Sequence, residues 1–467
     1  MPDSQSGHLP WFAPPRFENS PALTKRPPDN VLIVGAGLAG CTTAYELSRR
    51  GWKVTLLEQA PRPAAAASGN RAAVLRPHIT REPSLASSFF TEGWQAMLEL
   101  LHGIDTDRKT LAAASLPTSE RDALYGLPGA LQLLNNAGEY PDSDHYEKLD
   151  HGTASRRAGI SLHSDTLFFA DAGWVDIALF CQALLDQSSA RFLAGRRVLS
   201  ILKSENSDPR KPFASSWKVR SCRHSSSDST EDVHTDTYSS VVLASGVAIS
   251  ELAGTKALTL IPARGQTTVL SAPQGTLATI LCGKQTVIPV NGGESWQVGS
   301  TYQRNCLDSA VSDADDKENL AMLEQMLGKA VSRHTSCQTT KLVSSSWAAV
   351  RATTPDRLPV LGPLPDFTFY EKEYRDLRHG RSVERYETAC YQNGLYVNGG
   401  YGSRGLSVAA SCAKLLADAM ERGASRGSAT QTSEPSLMTR DSQFMELLHP
   451  ARFLIRQLRR DRTIQPD

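Results

Sequence analysis

The sequence predicts an α/β fold in which a Rossmann-like domain carries a second domain built on a mainly antiparallel β-sheet. Three observations support this. A strand, a glycine-rich loop and a helix follow one another from Asn30; alternating apolar and polar segments run from about Pro262 to Tyr302; and 467 residues are enough for two or three hydrophobic cores.

Residues 1–29 are rich in Pro, Ser and Asn and read as an extended lead-in. Asn30-Val-Leu-Ile-Val34 is a short continuous apolar run, the pattern of a buried strand. Leu38 to Arg50 has helical spacing, and Lys53-Val-Thr-Leu-Leu57 is a second strand, so the three form a βαβ unit. Trp217 to Arg220 and Ser240 to Ala244 are further strands, while the polar residues 221–239 between them read as a long surface hairpin or an unstructured insertion. Thr267 to Leu270, Thr286 to Pro289 and Trp296 to Tyr302 alternate as strands of an antiparallel sheet. Helical patterns follow at Asp315 to Val331 and Leu406 to Arg422. The expected division assigns 30–100, 150–260 and 340–430 to the Rossmann-like domain, 101–149 and 261–339 to the substrate-facing domain, and 431–467 to a tail. If helical, that tail places Arg452, Arg456 and Arg460 on one face, either to meet phosphates or as a solvated charged helix.

The 50 Lys and Arg against 49 Asp and Glu leave a net charge of +1, so no whole-molecule field draws the chain to nucleic acid or a membrane. The eight cysteines are scattered, without a C-x-x-C pair or metal-ligand spacing, which fits reduced thiols in a cytoplasmic protein with no metal. No apolar h-region opens the chain and no apolar run has membrane-spanning length, so neither secretion nor a membrane anchor is expected.

Gly35-Ala36-Gly37-Leu38-Ala39-Gly40 joins the first strand to the first helix, and Glu58 ends the next strand. Each part has a mechanical reason. The first glycine permits a tight turn, the second lets the backbone approach a pyrophosphate, and the third lets helix and strand pack closely. The helix N-terminus turns N–H groups and positive dipole to the phosphates, and Glu58 suits ribose hydroxyls. A glycine-rich turn without a ligand would not need the strand, helix and acid in this order. The loop alone leaves FAD and NAD open.

Other segments carry a resemblance. Ala67-Ser68-Gly69-Asn70 with Arg71 to Pro77, then Trp174-Val175, Pro262 to Gln266, Gly299 to Tyr302, Arg351 to Gly362, Gly402 to Leu406 and Pro450 to Phe453, follow in order from residue 30 to the C-terminus. Together they look like the FAD-dependent oxidoreductase half of the bifunctional tRNA 5-methylaminomethyl-2-thiouridine biosynthesis (MnmC) proteins. That half is similar, more distantly, to the glycine oxidase, sarcosine oxidase and D-amino-acid oxidase group. The resemblance implies a D-amino-acid oxidase-like fold and FAD as cofactor. It implicates the loop residues 35–40, Glu58, Ser68, Gly69, Asn70, Val198, Gly246, Gly402, Ser403, Arg404, Gly405 and Leu406 in holding it. Only Leu9-Pro-Trp-Phe12 is similar to the segment that joins the two halves; the methyltransferase half has no counterpart, so a separate methyltransferase is an expected partner.

In the resembled oxidases an arginine like Arg351 clamps the substrate carboxylate; a structural arginine paired with Asp356 is the alternative. Arg404 could reach flavin or carboxylate at the start of the helix after Leu406, or belong to a plain helix-capping loop. Tyr302 could hydrogen-bond the substrate, or simply be core. His78 is left outside the catalytic set. The implied reaction is oxidative removal of a carboxymethyl group from a secondary amine, in tRNA or, alternatively, oxidation of free glycine, sarcosine or another small amino acid. A flavoprotein without turnover is the third reading.

Overall fold

In the computed structural model the chain is described over residues 30–112, 123–134, 140–204, 216–223, 232–252, 254–271, 277–328, 342–380, 385–425 and 439–460. The lead-in and its Leu9 to Phe12 segment lie outside these residues.

The strand Val31–Val34 is buried along its whole length because it lies inside a parallel sheet with both faces covered. Val31 stands opposite Val54 on one side and Ser240 on the other. Strands Arg191–Leu193 and Tyr391–Gly399 extend the sheet outward in parallel, and Val360–Pro365 closes one edge antiparallel to Tyr391–Gly399. The helix Leu38–Arg49 packs between helices Ile177–Asp186 and Ala409–Ser425, where Cys41, Leu47, Cys181, Leu184 and Leu416 are fully buried. This is the α/β unit expected from the βαβ pattern.

A second sheet of nine strands carries the other half of the fold, and all of its pairings are antiparallel except Ile280–Cys282 beside Ala130–Leu133. Its longest pair is Ile261–Ser271 with Val343–Thr353. Helix Asp313–Leu327 lies against this sheet, its N-terminus capped by Ser312 and enriched in Asp313, Asp315 and Asp316, which suit the positive end of the helix dipole. Arg264, 4% exposed, reaches down to Asp315 at 2.5 Å. No helix among the described residues is long and apolar enough to cross a membrane.

Sheet membership differs from the expected division at two places. Thr166–Phe169 and Val343–Thr353 belong to the antiparallel sheet, although 150–260 and 340–430 read as Rossmann-like segments. Both strands follow segments whose local pattern does not reveal which sheet they join. The helix expected from Leu406 starts at Ala409, after a single 3-10 turn Gly405–Ser407. Strands Trp217–Arg223 and Val233–Tyr238 form a hairpin across the polar stretch, whose residues 224–231 lie outside the described ones.

The C-terminal segment is no solvated tail. Helix Arg440–Leu447 buries Phe444, Met445 and Leu447, and helix Arg452–Arg460 buries Phe453, Leu454 and Ile455. Arg452 is 1% exposed and clasps Asp356 through two bonds, Nε to Oδ2 at 2.9 Å and Nη2 to Oδ1 at 3.0 Å. It therefore cannot serve a phosphate, and the expected face of Arg452, Arg456 and Arg460 is not a free basic face. The apolar positions Phe453, Leu454 and Ile455 lie in the same turn, so packing overrode the charge pattern.

Between these helices His449 is 1% exposed. Its Nδ1 accepts the N–H of Ala451 at 3.1 Å and its Nε2 meets the Tyr391 hydroxyl at 3.0 Å. Burial, aided by Arg452, pushes its pKa from 6.5 down to about 3. Between pH 3 and 6.5 the unfolded chain therefore binds the extra proton, and the stability due to the neutral ring is complete above about 6.5 and lost as pH falls toward 3. Urea unfolding at pH 7, 6 and 5 should show His449→Gln losing less stability than the parent, by up to about 1.4 kcal/mol per pH unit. Parallel curves would refute this.

Candidate active site

Gly35, Glu58 and Gly246 each follow the C-terminal end of one of three neighbouring parallel strands, the edge at which open α/β sheets bind ligands. The loop is shaped for close approach. Gly35 has φ +101°, and a Cβ there would meet the Ala244 carbonyl oxygen at 2.8 Å; a Cβ on Gly40 would lie 1.8 Å from the Gly35 oxygen. Gly37, the N-cap, has no side chain to bond the helix N–H groups, and the first turn, with Leu38, Ala39 and Gly40, holds no acid. The positive end of a twelve-residue helix is thus presented to the crevice.

Glu58 accepts the N–H of Ala36 at 2.7 Å and of Ala60 at 2.9 Å. A carboxylate has about four lone-pair positions, so these two bonds fix it and leave capacity for hydroxyls. Ser68 Oγ accepts the Leu38 N–H at 3.0 Å, and Asn70 Oδ1 accepts the Ala72 N–H at 3.4 Å. A Cβ on Gly69 would strike the Trp347 ring at 2.6 Å, so only glycine lets this segment lie against the strand carrying Arg351. These features fit FAD, whose pyrophosphate residues 35–40 would hold and whose ribose hydroxyls Glu58 would accept. Val198 sits half-buried beside a bulge, packed on the core that holds Leu32 and Leu243 of the parallel sheet, and Gly246 opens a 3-10 turn at φ +63°.

Arg351 lies on Val343–Thr353, where the antiparallel sheet faces the loop after Tyr391–Gly399. Its Nη1 donates to Ser403 Oγ at 3.0 Å, and its Nη2 to Ser300 Oγ at 3.1 Å and the Thr301 carbonyl at 3.3 Å. Burial lowers its pKa, with the Tyr302 ring opposing that shift; its guanidinium is 5.6 Å from the ring centroid. Among the described residues no carboxylate pairs with it. The alternative pairing with Asp356 is excluded because Asp356 is taken by Arg452: burial works to raise the Asp356 pKa, and the guanidinium more than offsets it. Tyr302 is 52% exposed and so not core.

Gly265 makes room for this arrangement. A Cβ there would lie 1.8 Å from Arg351 Nη2 and 2.7 Å from the Thr301 oxygen. Gly265, Ser300 and Thr301 all lie within the sequence motifs, but nothing in those motifs shows that all three serve Arg351. Their signal is only cross-strand: Ala263, two residues before Gly265, pairs with Arg351.

Gly402 donates its N–H to the Ala352 carbonyl at 2.8 Å, which ties the 402–406 loop to the Arg351 strand. Arg404 lies over the Phe90 ring, 4.9 Å from its centroid, and the His78 ring meets the same Phe90 edge-on at 5.5 Å. Gly405 packs on Tyr401, and Leu406 is buried. Burial, then the Arg404, Arg76 and Arg357 guanidiniums, push the His78 pKa down to about 4. Its ring is therefore neutral at physiological pH.

The model of the FAD dependent oxidoreductase (DAO) family matches residues 30–419. The chain is 30% identical over 463 residues to the tRNA 5-methylaminomethyl-2-thiouridine biosynthesis bifunctional protein MnmC of Pseudomonas syringae pv. syringae, covering 98% of this chain and 62% of that protein. It is 32% identical to the protein of the same name from Chromobacterium violaceum, covering 100% of this chain and 64% of that one. The chain thus spans less than two thirds of the length of these relatives. Among solved structures, glycine oxidase from Geobacillus kaustophilus matches with a TM-score of 0.61 at 20% identity, over 85% of this chain and 95% of that one. Fructosamine oxidase (Amadoriase II) from Aspergillus fumigatus matches with a TM-score of 0.63 at 14% identity, over 94% and 92%. The glycine loop, the paired sheets and these matches agree: the chain belongs to the FAD-dependent oxidoreductase family of the D-amino-acid oxidase type, enzymes that act on CH–NH groups of their donors.

Proposed function

We propose that this enzyme removes the carboxymethyl group from 5-carboxymethylaminomethyl(-2-thio)uridine in tRNA, leaving 5-aminomethyl(-2-thio)uridine and releasing glyoxylate. The observation that carries it is Arg351, a guanidinium held by two serines, a carbonyl and a tyrosine face, with no carboxylate on it among the described residues. Such a group is a preformed fork for a substrate carboxylate. The similarity to the MnmC proteins supplies the choice of tRNA.

Bound FAD would supply the hydride acceptor. Arg351 holds the carboxylate and thereby fixes the adjacent CH–NH carbon, whose hydride leaves as the amine becomes an imine; water then cleaves the imine to amine and glyoxylate. The residues contribute position and electrostatics. Arg404 adds positive charge on the 402–406 loop, and His78, neutral beside it, adds none.

A free amino-acid oxidase is the second reading, favoured by the fold shared with glycine oxidase and by a fork that would hold glycine equally well. Anaerobic bleaching of the purified yellow protein separates the two. We expect tRNA bearing carboxymethylaminomethyluridine to bleach the flavin with one glyoxylate per flavin. Bleaching by glycine or sarcosine alone would overturn the tRNA reading, and a flavin that none of them bleaches would favour a protein without turnover.

A further inference from the structure

Arg351 answers one anionic group. A second set of basic side chains, cationic at its arginines, lies at the same loop. Arg404 and His78 converge on Phe90, at 4.9 and 5.5 Å. The backbone of Arg76 is fastened there, its carbonyl accepting from Ser407 Oγ at 3.3 Å, and its guanidinium lies 5.8 Å from the Phe169 centroid. Arg357 is exposed at the end of the Arg351 strand, on a left-handed backbone at φ +64°. The charges of Arg76 and Arg357 both act on His78 and Arg404, and among the described residues no carboxylate acts on either.

Three guanidiniums brought together without an acid repel one another, and an arrangement that an anion would relieve marks a binding site more than a stabilising one. Elsewhere in the fold the comparable cations are matched: Arg452 by Asp356, Arg264 by Asp315, and Arg50 by Glu46 and Asp418. A free amino acid carries one carboxylate, which Arg351 satisfies. A nucleotide substrate carries a phosphate as well.

We propose that Arg76, Arg357 and Arg404, with His78, form a second anion subsite that takes a backbone phosphate of the nucleotide whose side group enters at Arg351. The inference rests on the tRNA reading and deepens it, because it requires a substrate with two anionic groups flanking the 402–406 loop. Guanidiniums suit phosphate through bidentate donation.

The test uses the holoenzyme with uridine 3′,5′-bisphosphate as probe and uridine as control, titrated calorimetrically. The bisphosphate should bind, uridine should bind at least tenfold more weakly, and Arg76→Gln/Arg357→Gln should weaken the bisphosphate at least tenfold. The salt dependence of the Kd should flatten with each arginine removed. Arg357→Gln alone, at an exposed position, gives a partial loss should the double variant fail to fold. An unchanged Kd in the variants, equal binding of uridine, or loss of FAD from folded variants would overturn the subsite, the last by assigning these cations to the cofactor. Failure of modified tRNA to bleach the parent flavin would instead strike the proposed reaction, and the bisphosphate titration would still judge the subsite.

Discussion

Replacing Arg351 by Met should lower kcat/KM for the carboxymethylamino substrate by about 10²–10³-fold while leaving FAD content unchanged. Truncating one member of a buried, hydrogen-bonded charge pair removes about 2–5 kcal/mol. The fork is specific in shape as well as charge: Arg351 spans Ser403 on one nitrogen and Ser300 on the other. Arg351→Lys keeps the charge but not the two-pronged donor, and should recover only a small part of the loss. Gly265→Ala is the more pointed test, because the charge stays and only its seat is taken, a Cβ lying 1.8 Å from Nη2. Stopped-flow bleaching of each variant measures the effect. A kcat/KM within about threefold of the parent in Arg351→Met would remove this residue from substrate binding.

The second large effect concerns stability. Asp356→Asn should destabilise the protein by about 3–5 kcal/mol, because it leaves the Arg452 guanidinium, 1% exposed, without its counter-charge. The carboxylate also accepts the Leu358 N–H at 3.1 Å and the Thr354 hydroxyl at 3.2 Å, so it organises the turn that ends the Arg351 strand. Replacing both partners by Leu should cost far less than either single change, since no charge is then stranded. Denaturant unfolding of the two single variants and the double variant reads the coupling. Additive losses would mean that the pair does not act as a unit.

The parallel half of the fold was legible because its signals are local. A strand buried on both faces reads as an apolar run, and the loop needs glycines at fixed spacing, so Val31 to Glu58 could be placed from sequence alone. Arg452 was legible as a cation and misread as a surface one, because its partner Asp356 lies ninety-six residues away. Motifs from 351–362 and 450–453 that looked independent are two halves of one clasp. The same holds for Gly265, whose purpose depends on a strand that pairs with it from residues 343–353. Conversely Glu58 ends the strand next to the glycine loop, and the structure seats it and Ser68 on the N–H groups of Ala36 and Leu38.

The two serines on Arg351 bear on selectivity. Ser300 follows a strand of the antiparallel sheet and Ser403 lies on the loop that leaves the parallel one, so the resting guanidinium already has neutral oxygens from both sides as placeholders. An uncharged amine that enters offers this arginine nothing better than the hydroxyls it must push aside, whereas a carboxylate exchanges neutral hydrogen bonds for charge-assisted ones about twice as strong. Discrimination against uncharged amines is thus set by competition with the protein's own hydroxyls, before any chemistry begins.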